Sequence, residues 1–101
     1  MTFYSISYNT ITDGKWLSSQ DYVTIHRIAV SNNYRGQNIA REIIKGAEVL
    51  ALKRDIKSIR VDTHHDNLAM QKFLFKNNFV YCGIIFLEDG SKRLAYEKIL
   101  L

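Results

Sequence analysis

Proline is absent from these 101 residues, while cysteine and tryptophan occur once each and glycine five times. Without proline, and with no low-complexity stretch or internal repeat, no linker can be drawn. A lone cysteine excludes an internal disulfide and a Cys-rich zinc site. Cys82 is expected to be a small packed strand residue, not a nucleophile. No apolar run is long enough to span a bilayer, and the N-terminus lacks the basic-then-apolar pattern of a signal peptide, so a cytoplasmic protein is expected. What is present is material for one domain with one small core, 47% of it apolar, at a net charge of +4. That charge favours an anionic partner. The basic residues are dispersed, however, with no run interleaved with stacking aromatics, which argues against nucleic acid.

The chain opens on short strands. Phe3, Ser5 and Ser7 alternate with Tyr4, Ile6 and Tyr8, and Asp13-Gly14 then supplies a hairpin-type turn ahead of Lys15-Trp16-Leu17. Tyr22 to Val30 is rich in β-branched residues and continuously apolar at Ile28-Ala29-Val30, which suits a central strand buried on both faces. Ile39, Ile43, Ile44, Ala47, Leu50 and Ala51 recur at helical spacing, with Gly46 tolerable among them if close packing demands a small residue. Ser58 to Thr63 alternates again, with Ile59, Val61 and Thr63 inward, so strand, helix and strand form a right-handed parallel crossover. Its ligand site lies at the strands' C-terminal ends. Asp66 or Asn67 can cap a second helix carrying Leu68, Ala69, Phe73 and Leu74, which Asn77-Asn78 stops. Phe79 to Leu87 and Lys92 to Leu100 pair as a hairpin over the two-residue turn Asp89-Gly90. The expected fold is α/β: a mixed, mostly antiparallel sheet with a central parallel βαβ crossover and helices packed on it.

Between the central strand and the first long helix lies Val30-Ser31-Asn32-Asn33-Tyr34-Arg35-Gly36-Gln37-Asn38-Ile39-Ala40. A tight loop here would aim backbone N–H groups at an anion from a helix N-terminus, with Gly36 permitting close approach and Arg35 adding charge. An ordinary loop whose polar residues merely cap a helix would look the same. The segment resembles the coenzyme A loop of the GNAT acyl-CoA N-acyltransferases, Arg/Gln-x-x-Gly-x-Gly/Ala, with Asn38 at the first glycine position and Ala40 at the last. Asn is the best substitute for glycine in a left-handed conformation. The likeness extends over roughly residues 22–100, through His26-Arg27-Ile28-Ala29-Val30 and through Asn67 to Phe79, which is similar to the family's Asn-x-x-Ala-x-x-x-Tyr-x-x-x-Gly-Phe.

The resemblance implies an acetyl-CoA-dependent N-acetyltransferase in which an amine of a small molecule or peptide attacks the thioester directly. It implies that Ile28, Ala29 and Val30 dock the pantetheine through their backbone, with the Ile28 N–H polarising the thioester carbonyl. Arg35, Gly36, Gln37, Asn38, Ile39 and Ala40 would hold the pyrophosphate, and Asn67 would contact the pantetheine arm. The family tyrosine that protonates the leaving thiolate is matched by Phe75, which has no proton to give. Tyr81 is a candidate substitute and His26 a candidate base. Asn78 stands where the family has glycine. His64 and His65 follow the second parallel strand, at its ligand-facing end, but adjacent residues point apart and form a poor chelating pair, so no metal site is expected. The family's usual first strand and helices have no counterpart here, which would leave sheet surface for a homodimer to cover. The alternative is a coenzyme A-binding module without turnover.

Overall fold

A computed structural model describes residues 2–4, 11–12, 14–18, 21–26, 34–87 and 89–100. Among them are strands β1 (Thr2–Tyr4), β2 (Ile11–Thr12), β3 (Val23–His26), β4 (Ser58–Thr63), β5 (Val80–Phe86) and β6 (Lys92–Ile99), with helices α1 (Tyr34–Lys53) and α2 (Leu68–Lys76). The strands form one sheet in the order β1-β3-β4-β6-β5-β2. β3 and β4 are parallel and the other neighbours antiparallel, so the expected mixed sheet with a central βαβ unit is observed.

α1 is helical because small and branched apolar residues return on one face: Ala40, Ile44, Ala47 and Ala51 are buried. They pack with Val23, Ile25, Ile59, Val61 and Tyr96 of the sheet and with Met70, Phe73 and Leu74 of α2 in one core. The helix stops at Asp55, whose φ of 56° is left-handed. The N–H groups of Ile56 and Asp55 bond the carbonyls of Ala51 and Leu52 at 2.8 and 3.1 Å, which is a Schellman closure. α2 ends the same way around Asn78, at φ 70°, with Phe79 N–H on the Leu74 carbonyl at 2.9 Å. Asn67 is its N-cap, its Oδ1 accepting from the Met70 N–H at 3.2 Å.

Four expectations need correction. Residues 15–17 are not a strand, and Gly14 does not close a hairpin with β1. Instead β1 and β2 are opposite edges of the sheet, and β2 pairs with β5. Gly14 lies so close to β5 that a Cβ would stand 1.9 Å from the Cys82 carbonyl oxygen. In α2 the buried residues are Met70, Phe73 and Leu74, while Leu68 is 63% exposed. In α1, Ile39 is exposed, and so is Gly46, which leaves close packing out as its reason. The β5–β6 connection is longer than two residues, for it closes between the Leu87 N–H and the Ser91 carbonyl at 2.9 Å. Inside it the Asp89 carboxylate accepts from the Ser91 N–H, and Gly90 takes φ 85°.

The sheet face away from the core cluster is polar and covered by the segment leading into β3. Glu97, fully buried, accepts from Leu17 N–H at 2.8 Å, from Ser18 Oγ at 2.7 Å and from Ser58 Oγ. Arg60 stands 3.5 Å from it, donates to the Ser18 carbonyl at 2.7 Å, and is sandwiched between Trp16 and Tyr22 at 4.1 and 4.0 Å. Trp16, Leu17, Ser18 and Tyr22 are thereby strapped across β4 and β6. Cys82 is buried and free, as expected. Burial, with the Glu97 charge second, pushes its thiol up. No helix among the described residues is long and apolar enough to cross a membrane.

Candidate functional site

The two parallel strands share two rungs only, Val23↔Ile59 and Thr24↔Arg60. Beyond them β3 continues to His26 paired with β1, and β4 continues to Thr63 paired with β6. The strands part at their C-terminal ends, leaving the inner backbone edges of Ile25 and His26 and of Val61, Asp62 and Thr63 outside the β3–β4 ladder. Both helices begin at this end of the sheet, since α1 follows β3 and α2 follows β4. Neither has an acidic residue in its first turn, so the positive ends of both macrodipoles are uncompensated there. The geometry is a slot for an extended chain, flanked by anion-favouring helix ends.

Arg35, Gly36, Gln37 and Asn38 are in the first turns of α1 and not in a loop preceding it. From Asn38 onward the backbone N–H groups belong to the helical ladder. Asn38 is not left-handed, because the only positive-φ residues other than glycine among those described are Asp55 and Asn78. Its Oδ1 instead accepts from Arg41 Nη2 at 2.8 Å. Ala40 is wholly buried in the core, and Ile39 beside it is exposed. Ile28, Ala29 and Val30 lie outside the described residues, as do the side chains of His26 and Arg35. The backbone of His26 is the last rung of β3, opposite Thr2.

Tyr81 is not brought to the slot. It is half exposed on β5, two strands from β4, with its ring edge-on to Tyr96 at 5.7 Å. Tyr96 faces the core beside Val61, and burial, helped by Tyr81, raises its hydroxyl pKa. Phe75 is 80% exposed. Counted from Asn67, or back from Phe79, the tyrosine of the family pattern falls on Leu74, which is buried. Either way α2 offers no hydroxyl there. Asn67 is where it was expected, capping α2 beside the slot.

Asp62 was missed by sequence reasoning. It is on β4 past the last shared rung, on the face opposite Val61, with Arg93 Nε 3.2 Å from its carboxylate. The signal was a second charged residue, after Arg60, on the strand face opposite Ile59 and Val61. The expectation that His64 and His65 point apart is also corrected. They follow β4 in a turn, and their rings stack with centroids 4.3 Å apart.

The sequence model of the Acetyltransferase (GNAT) family matches residues 5–79. The chain belongs to that family. It is 33% identical over 64 residues to a streptothricin acetyltransferase of Escherichia coli, covering 63% of this chain and 37% of that protein. A GNAT-family acetyltransferase of Streptococcus agalactiae superposes with a TM-score of 0.77 at 38% identity, over 98% of this chain and 57% of that one. The NatC complex bound to Gag peptide and CoA has a TM-score of 0.66 over 98% of this chain and 58% of that one, but at 16% identity it shares the fold alone. The chain thus spans between about a third and three fifths of the length of these relatives.

Proposed function

We propose that this acetyltransferase domain moves an acetyl group from acetyl-CoA to an amine of a small molecule or peptide by direct attack. The observation that carries the reading is the parting of β3 and β4 after the Thr24↔Arg60 rung, beside the N-terminus of α1. The slot suits a pantetheine arm pairing with the β3 backbone. The first turn of α1, with Arg35, Gly36 and Gln37, suits the pyrophosphate. The Ile28 N–H polarises the thioester carbonyl. The amine's lone pair forms the new C–N bond as C–S breaks, the amine's proton passes to His26 or solvent, and the thiolate takes its proton from solvent. Most of the acceleration comes from positioning. Asp62, held by Arg93, offers a carboxylate to the incoming ammonium, which gives one proton to solvent before its lone pair attacks. A cytoplasmic homodimer closing over an edge strand belongs to the same reading.

The absence of a hydroxyl at Leu74 or Phe75 favours a second reading, a coenzyme A-binding module with weak turnover. Calorimetry with acetyl-CoA, run beside thiol release with a panel of amines that includes streptothricin, separates the two. Binding with thiol release supports transfer, and binding without it leaves the module. No binding at millimolar acetyl-CoA removes both.

A further inference from the structure

We propose that His64, His65 and Asp66, the turn joining β4 to α2, form a surface site for a divalent transition-metal ion, Zn2+ being the best match. In an extended strand two consecutive side chains would diverge, but β4 ends at Thr63 and the turn brings both imidazoles to one side. His65 Nε2 is 3.3 Å from Asp66 Oδ1, His64 Nδ1 is 3.8 Å from Asp66 Oδ2, and one ligand atom from each residue lies within 4.8 Å of the others. All three side chains are exposed, so small rotations close the set to bonding distance without displacing packed neighbours. The backbone beneath is held independently. Gln71 Nε2 donates to the His65 carbonyl at 2.9 Å, and the Asn67 N–H donates to that of His64 at 3.0 Å. Two imidazoles and one carboxylate are donors for Zn2+, Ni2+ or Cu2+, not for Ca2+ or Mg2+.

Two features limit the affinity. His64 Nδ1 accepts the Asp66 N–H at 3.1 Å and must give that bond up, and the positive end of α2 faces the ion. With three protein ligands, all exposed, the site binds more weakly than a closed four-ligand structural zinc site. An ion held here would stiffen the turn that leads into the Asn67 cap.

The test is calorimetric titration of the full chain with zinc chloride. One equivalent should bind, His65→Ala and Asp66→Ala should each weaken binding by about tenfold or more, and His26→Gln should leave the zinc affinity unchanged. Cu2+ bound to the unsubstituted chain should show electron-spin couplings to two imidazole nitrogens, a readout that needs no variant to fold. Absence of binding at millimolar zinc, unweakened binding by both variants, or coupling to fewer than two nitrogens would overturn the site.

Discussion

Glu97→Gln tests the least anticipated feature of this fold, the buried charge under the strap formed by Trp16, Leu17, Ser18 and Tyr22. The substitution keeps volume and removes charge. Glu97 accepts three hydrogen bonds, from Leu17 N–H, Ser18 Oγ and Ser58 Oγ, with the Arg60 guanidinium 3.5 Å away. Bonds to a charged acceptor contribute about 1.5–3 kcal/mol each, and removing one partner of a buried pair costs about 3–5 kcal/mol, because the other charge is left uncompensated. Arg60 is 5% exposed and clamped between two rings, so water cannot readily replace the lost carboxylate. An amide also turns an NH2 toward groups that are themselves donors. We expect a loss of about 3–5 kcal/mol, which at about 1.5 kcal/mol per molar urea moves the unfolding midpoint down by about 2–3 M. Of a stability of about 5–15 kcal/mol that is a large share. Urea unfolding followed by circular dichroism measures it. Trp16, the one tryptophan, reports the strap directly, since its emission shifts to the red if the segment leaves Arg60. Adding Arg60→Met should recover at least about 1 kcal/mol by removing the stranded charge. A midpoint within about 0.5 M of the parent with unchanged emission would refute the argument that this charge holds the strap.

Gly36→Val and Arg35→Glu should each weaken acetyl-CoA binding in calorimetry, the first by crowding the start of α1 and the second by setting like charge against phosphate; unchanged affinity in both would remove the assignment of that turn. Asp55→Gly should raise stability by about 0.5–1 kcal/mol in urea unfolding, since the left-handed site then carries no Cβ and the C-terminal end of α1 loses an adverse negative charge. Asn67→Ala should lower it by about 1 kcal/mol through the lost cap. Cys82 and Tyr96 are both pushed above their ordinary values of 9.0 and 10.0, chiefly by burial. Each contributes stability that is whole below its ordinary value and is lost as pH climbs through the raised one. The melting temperature should therefore fall progressively above about pH 9, and a flat alkaline profile would contradict the burial of both groups.

The sequence speaks clearly where one local rule decides. β4 was read to its observed bounds because Ile59, Val61 and Thr63 alternate between charged and polar residues, and Asn67 and Asn78 because a side-chain cap and a left-handed stop each need a particular residue type. It misleads where periodicity is counted without knowing which side is covered. Leu68 and Ile39 fit an apolar stripe, yet they lie outside it, and Met70 takes the buried place. The N-terminal hairpin failed for a different reason. Asp13-Gly14 is a genuine turn signal, but local chemistry says nothing about whether the strands on either side meet each other or opposite edges of a sheet. Gly14 is required by its contact with the Cys82 carbonyl, a residue so far along the chain that no sequence window contains both.

The site divides along the same line. The order of strand and helix that frames the candidate site was legible, because a strand, a short polar segment and a helix in series imply an anion-favouring end. The first residues of α1 are nonetheless helical, so the Asn38 reading borrowed from a glycine position does not apply: Asn38→Gly would remove the bond to Arg41 and add backbone freedom to a helix turn. Asp62 and Arg60 read alike in sequence, as single charges within a strand. Arg60 sits on the last rung shared with β3 and is buried under the strap, whereas Asp62 stands one same-face position further along, where β3 has already turned away and Arg93 holds its carboxylate at the rim. Which charge is buried and which is left at the rim is decided by where two strands separate. That is a property of pairing, and the alternation of either strand alone does not contain it.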